Sequence, residues 1–252
     1  MDEQGNVSQR RQELRDASGP GDAWLSPRLQ MAFRPAASPI CEPAAKLGGQ
    51  PVWLDDPCWP SSSAYGTPMM FVGQFPVPGD EKRMAYLFVA DDDGTAATFA
   101  PEGGDNALLV QPGGRIPEFL NVTDAQTGPS LWRRGTSWDE HVPVELHIET
   151  SPLDPAEERV LEEEIACWEA ERAGEFIDLP ETDIFPPRSY FGGRPNLWQP
   201  RIEVPSPWRF FFQLHGQEGW DGQPYALNFG GGTGYAFLSP DGREGRFYWD
   251  CV

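Results

Sequence analysis

Four cysteines and three histidines are the residues of this 252-residue chain best suited to metal binding or nucleophilic catalysis. A zinc site wants four Cys or His ligands, usually in short paired spacings. Cys41, Cys58, Cys167 and Cys251 stand singly along the chain, so they read as structural thiols rather than ligands. A nucleophilic triad needs Ser or Cys beside a His and an orienting acid. His141, His147 and His215 are the only histidines, and there is no Gly-x-Ser-x-Gly turn. His215, just past an apolar run that contains Gln213, is the most interesting of the three, although a surface role explains it as well. With 39 acids present, carboxylate pairs for glycoside chemistry are available everywhere and therefore point nowhere. Asp91, Asp92 and Asp93 lack calcium-loop spacing and suit a hairpin tip. Gly230 to Gly234 leads into a strand-like run, so the helix N-terminus that would hold a phosphate is missing. No metal and no cofactor is expected, and the catalytic residues, if there are any, stay unassigned.

Charge narrows the partners. There are 19 basic and 39 acidic side chains, a net charge of −20. Nucleic-acid modules and polybasic membrane anchors carry the opposite sign. Such a field either keeps the protein dispersed or steers basic partners towards it. No run approaches the roughly 18 apolar residues of a membrane helix. Met1 to Pro20 is polar, unlike a signal peptide. A cytoplasmic protein is expected.

The positioning elements follow from composition. Gly and Pro number 27 each, nearly double their combined average share of about 12%. With 10 Trp, 15 Phe and 6 Tyr, the chain is too aromatic for disorder and suits many short strands joined by tight turns. Residues 1–40 are expected to be a flexible arm. Strands are predicted over Met69–Phe75, Met84–Ala90, Thr95–Phe99, Ala107–Gln111, Val142–Glu149, Arg209–Leu214, Tyr225–Phe229, Tyr235–Leu238 and Arg246–Asp250. Asp91–Gly94 and Pro240–Arg243 are predicted turns. The Asn121–Asp139 stretch has no clean period. One helix is predicted over 155–173: Asp154 can cap it, Pro155 suits its first position, and Gly174 its end. Leu161, Ile165 and Trp168 would form its apolar stripe.

Two segments repeat one another. Leu47-Gly48-Gly49-Gln50-Pro51-Val52-Trp53 matches Phe191-Gly192-Gly193-Arg194-Pro195-Asn196-Leu197-Trp198 with one insertion. Phe71-Val72-Gly73-Gln74-Phe75 matches Phe210-Phe211-Phe212-Gln213-Leu214, Tyr86-Leu87-Phe88 matches Tyr235-Ala236-Phe237, and Asp93-Gly94 matches Asp241-Gly242. Four matches in order, at nearly constant separation, indicate an internal duplication. Gly48, Gly49, Pro51, Gly192, Gly193 and Pro195 read as structural loops; the alternative is close backbone approach to a ligand or to the other repeat. Gln74 and Gln213 lie in apolar strands and need partners, either across the sheet and at the Gly-Gly loops or on a ligand.

These motifs, with Pro68 to Gln74 and the closing Phe247-Tyr248-Trp249-Asp250-Cys251, resemble the YwqG-like bacterial family, a domain of unknown function. They are similar also to eukaryotic relatives of programmed cell death protein 2. The resemblance is good over Lys46 to about Phe99 and looser over Ser189 to Val252. It implies a duplicated α+β body dominated by antiparallel sheet and, from the eukaryotic relatives, the holding of a basic ribosomal protein. Cys58 stands alone before Trp59 where paired cysteines would follow in the eukaryotic pattern, so their metal-binding insertion is not expected here.

The expected fold is α+β, mainly antiparallel, with a duplicated domain over 41–252. Its halves are about 46–150 and 185–252, with the helix between them. The expected function is non-enzymatic binding of a protein or peptide, chaperone-like or immunity-like towards a basic partner. Trp53, Trp59, Trp198 and Trp208 would supply contact area, with Gln74 and Gln213 nearby, in a groove where the halves meet. The alternative is a carboxylate-dependent hydrolase with its site in that groove.

Overall fold

Aromatic and β-branched runs bounded by Gly, Pro and Asp build strands here, as their packing on a pleated surface favours. A computed structural model describes residues 28–79, 82–91, 95–137, 139–174, 188–199, 201–216, 227 and 229–251. In chain order the strands are β1 (Leu29–Pro35), β2 (Lys46–Gly48), β3 (Trp59–Ser61), β4 (Met70–Val77), β5 (Arg83–Val89), β6 (Asn106–Gln111) and β7 (Asn121–Thr123). They continue as β8 (Trp132–Arg134), β9 (His141–Pro143), β10 (Glu145–Pro152), β11 (Tyr190–Phe191), β12 (Arg209–His215), β13 (Thr233–Leu238) and β14 (Gly245–Asp250). Helix α1 spans Pro155–Arg172.

Ten strands form one antiparallel sheet in the order β14-β13-β12-β11-β1-β10-β2-β4-β5-β6. The edge strands curl towards each other. Arg115 N–H bonds the Arg243 carbonyl at 2.8 Å just past the edges, and a side chain on Gly245 would strike the Leu108 backbone. The sheet is thus a nearly closed barrel, which leaves little free edge to recruit other chains. Two small pairs, β3–β7 and β8–β9, lie outside it.

Strands β4, β5, β6, β12 and β13 are buried along almost their whole length, because both faces are covered. Inside the barrel, Phe75, Leu87, Leu108, Phe191, Phe212, Leu238 and Phe247 belong to one continuous core. Phe75 and Phe212 meet at 4.1 Å between ring centroids. Outside, Trp59, Phe71, Tyr86 and Phe88 form a second cluster on the N-terminal half. Tyr190, Phe210, Tyr235, Phe237 and Tyr248 form its counterpart on the C-terminal half. Each such side chain contributes about 1.5–3 kcal/mol by leaving water.

Asp154 Oδ1 accepts from the Ala156 N–H at 2.8 Å, capping α1, and Gly174 follows its end with φ +78°. Ile165, Ala166 and Ala170 are buried, and Leu161 rests on the outer C-terminal cluster. The acidic face does more than meet solvent. Arg188 reaches Glu157 with two bonds, of 2.6 and 2.8 Å. Arg194 reaches Glu162 and Glu169 at 2.5 and 2.6 Å. Arg28, 1% exposed, pairs with Glu158 and Glu162.

Several expectations need correction. The arm does not extend to residue 40: β1 lies in the middle of the sheet, paired with β10 and β11. Residues 1–27 lie outside the described residues. Thr95–Phe99 is not a strand, because Asp105 and Asn106 bind its backbone through Ala97 N–H (3.2 Å) and Thr98 O (2.8 Å). The single strand over Val142–Glu149 is two. Val144 breaks it by donating its N–H to Leu131 O and accepting at its carbonyl from Gly49 N–H. Most of the Tyr225–Phe229 strand, the Asp92–Gly94 turn and the Trp168 side chain lie outside the described residues. Leu227 and Phe229 are described as buried but not in a strand.

Candidate functional site

A Gly-Gly pair that bends the chain back, an apolar strand carrying Gln and a facing Tyr build the same arrangement twice. Gly48 and Gly49 have φ of +65° and +66°, and Gly192 and Gly193 +75° and +67°, a region that L side chains rarely enter. A Cβ on Gly48 would also run into the Val144 carbonyl, and one on Gly193 into the Arg28 guanidinium. Both pairs direct the chain across the outer face of the sheet, where Gln and Tyr hold it. Gln74 accepts from Val52 N–H at 2.9 Å and donates to Ala44 O at 2.8 Å. Gln213 accepts from Asn196 N–H at 3.0 Å and donates to Arg188 O at 2.8 Å. The Tyr opposite each Gln repeats the match. Tyr86 accepts from Leu54 N–H and donates to Val52 O; Tyr235 accepts from Trp198 N–H and donates to Asn196 O. Burial pushes both phenols well above their usual value, so they remain neutral.

This arrangement decides the expected site residues. Gln74 and Gln213 are 0% and 1% exposed and their amides bond backbone through both oxygen and nitrogen, so they are loop clamps and not surface contacts. Trp59 is 1% exposed, its indole N–H bonded to Met69 O at 2.9 Å; it is core. Trp53 is half-buried over Tyr86 at 4.9 Å, with its N–H on Gln126 O. Trp198 is half-buried, its N–H on Thr233 Oγ1 at 2.9 Å. The four tryptophans do not line one groove. Nor do the halves meet at a cleft: β1 and β10 join them by a continuous ladder.

Trp208 does line a cavity, of about 700 Å³, on the outer face of the C-terminal half. Pro195, Leu197, Val204, Pro205, Phe210 and Phe237 form its apolar walls, and Ile202 stands at its mouth, 45% exposed. Arg246 lies 4.5 Å from the Trp208 ring centroid and 4.9 Å from that of Phe119, fixing the indole by cation–π contact. Glu102 and Glu244 pair with Arg246 at 2.9 and 2.7 Å. Glu169, Arg194 and Arg209 bring charge to the walls. Sequence reasoning missed this wall apart from Trp208, Gly193 and Pro195; the Val204-Pro205-Ser206-Pro207-Trp208 run was its one visible signal.

A second cavity, of about 430 Å³, is lined by Asp55, Asp56, Asp124, Cys58 and Gln111. Burial pushes the Cys58 thiol up, away from nucleophilic use. Neither cavity contains a histidine. His215 is half-buried, and burial pushes its imidazole down. Among the described residues no group of three or more His, Cys, Asp or Glu is placed to hold a metal ion. Among the described residues two carboxyls rise by burial, Glu164 and Asp250, the latter to about 6; neither lines either of these two cavities. No helix among the described residues is long and apolar enough to cross a membrane. No protein-family model, curated protein or solved structure matches the chain.

Proposed function

We propose that this chain is a non-enzymatic cytoplasmic binding module that takes a basic, partly apolar segment of another protein into the Trp208 groove. The observation that carries this reading is the groove itself: open, walled by proline and aromatic side chains, its indole held in place by Arg246. Rigid aromatic walls bind with little ordering cost. The −20 net charge would draw basic segments and repel acidic ones. A hydrolase would want converging acids in one pocket, whereas Glu169 is the only acid among the described residues that line this one. The resemblance to eukaryotic relatives of programmed cell death protein 2 adds the expectation of a chaperone-like role, and an immunity-like role is a special case of the same binding.

In the same reading the barrel is a duplicated unit. The twin Gln–Tyr clamps support it, as do bulges at matching places, between Phe71 and Gly73 and between Phe210 and Phe212. So does the mirrored strand order about the β1–β10 pair.

A library of twelve-residue peptides combining Arg or Lys with Leu, Phe or Trp, read by fluorescence polarisation, tests the reading. Wild type should select basic-apolar members over acidic ones. Trp208→Ala should weaken them by roughly 30-fold, the scale of an aromatic anchor, without loss of fold by circular dichroism. Absence of selection, or equal binding by the variant, would sink it.

A further inference from the structure

The two clamps differ at one place. Two residues beyond the partner of each Tyr, the strands β6 and β14 carry Gln111 and Asp250. Gln111, 7% exposed, accepts from the N–H groups of Leu54 and Asp55 at 3.2 Å each and donates to Asp56 O at 2.8 Å. Asp250 faces the matching N–H groups, of Trp198 and Gln199, and the Tyr235 hydroxyl. Its side chain is one methylene shorter, and its buried Oδ1 has no hydrogen-bond partner among the described residues. A neutral amide in one half is therefore a half-satisfied, ionisable group in the other.

We propose that Asp250 makes the hold on the 196–199 segment, and with it one wall of the groove, respond to protonation, while Gln111 keeps the matching hold indifferent to it. The groups around Asp250 set the sense of the response. Tyr235 from β13 is a neutral phenol, with Tyr248 of β14 beside its ring at 5.1 Å. Glu203, from the segment that crosses this face, adds negative charge and is itself paired with Arg201 at 2.7 Å. Burial outweighs the favourable contacts from Tyr235, Gln199 and Trp198 and raises the carboxyl from 3.8 to about 6. When the segment lifts, the carboxyl returns to water and its ordinary value. The closed form thus binds the proton more tightly, and opening becomes easier as pH rises through 6, by about tenfold between pH 5 and 7.5. Leu197, inside this segment, and the adjoining Pro195 form the groove wall, so the wall loosens with it. That this would tune peptide release rests on the function proposed above; the opening itself does not.

Hydrogen exchange on the full chain, corrected for intrinsic rates, needs no ligand and so separates the two proposals. Protection of the Leu197–Gln199 amides should fall about tenfold from pH 5 to 7.5, while that of Leu54 and Asp55 stays constant. Asp250→Asn should flatten the first profile, and Asp250→Gln, which restores the reach of the other half, should flatten it too. Constant wild-type protection at 197–199, an equal change at 54–55, or an undiminished slope in both variants would overturn the proposal.

Discussion

Replacing Gln74 by leucine keeps most of its volume and removes one donor and one acceptor from a site with no exposure. Val52 N–H and Ala44 O, bonded to it at 2.9 and 2.8 Å, would be left without partners. Each buried orphan costs about 1–3 kcal/mol. Relaxation of the 50–54 loop towards water recovers part of that, so Gln74→Leu should lose about 2–4 kcal/mol. In a domain of this size that is a fall in Tm of roughly 5–15 °C. Gln213→Leu strands Asn196 N–H and Arg188 O and should cost the same within about 1 kcal/mol. Urea unfolding followed by tryptophan fluorescence and circular dichroism, with unchanged m-values, measures both. Gln74→Glu separates the hydrogen bond from shape: it keeps an acceptor for Val52 but buries a charge beside Ala44 O, so its deficit should shrink as pH falls and the carboxyl protonates. If both leucine variants stay within about 0.5 kcal/mol of wild type, the clamps contribute nothing and the account of these loops fails.

Because Asp250 rises from 3.8 to about 6 in the folded protein, its contribution to stability is intact below pH 3.8 and lost as pH rises through 6. Asp250→Asn should match wild type near pH 4 and exceed it by about 1–2 kcal/mol at pH 7.5, discounted for partial exposure; chemical denaturation across pH checks this, and an equal offset at both pH values would refute it. Lys46, 1% exposed, bonds Glu145 at 2.6 Å and Ile40 O at 3.0 Å. Lys46→Met leaves Glu145 with its charge unpaired and should cost about 3–5 kcal/mol, while Lys46→Met with Glu145→Leu should recover much of it; a double variant as unstable as the single one would show that the ion pair is not the cause.

The strands legible in the sequence are those covered on both faces, such as Met84–Ala90 and Tyr235–Leu238, because continuous apolar runs announce themselves. The helix was equally legible from Asp154, Pro155 and Gly174. Strand β1 was not: Leu-Gln-Met-Ala-Phe-Arg-Pro carries one fully buried residue, Met31, and owes its place to its partners on either side. Gln74 and Gln213 were visible as amides needing partners, and the structure supplies them at the Gly-Gly loops. Trp59 misled because a tryptophan in a Pro-rich loop resembles a contact residue until its N–H is seen to end on Met69 O. The groove was hidden for another reason. Its walls come from the segment around Val204–Trp208, which has no period, laid over Phe210 and Phe237, which read only as core.

The mirrored order of the sheet has a consequence for the order in which the protein can be made. Strand β1 is translated before both of its partners and stays unpaired until Glu145–Pro152 and then Tyr190–Phe191 have followed. The strand that completes the C-terminal half thus lies at the other end of the chain. Cutting the chain between the halves would separate β1 from β11 and β12 rather than release two self-sufficient units. The nascent N-terminal half must wait with its central edge open until those later segments have been translated. Folding is governed by these distant pairings, and that interval is when this nearly closed sheet is most exposed to wrong partners.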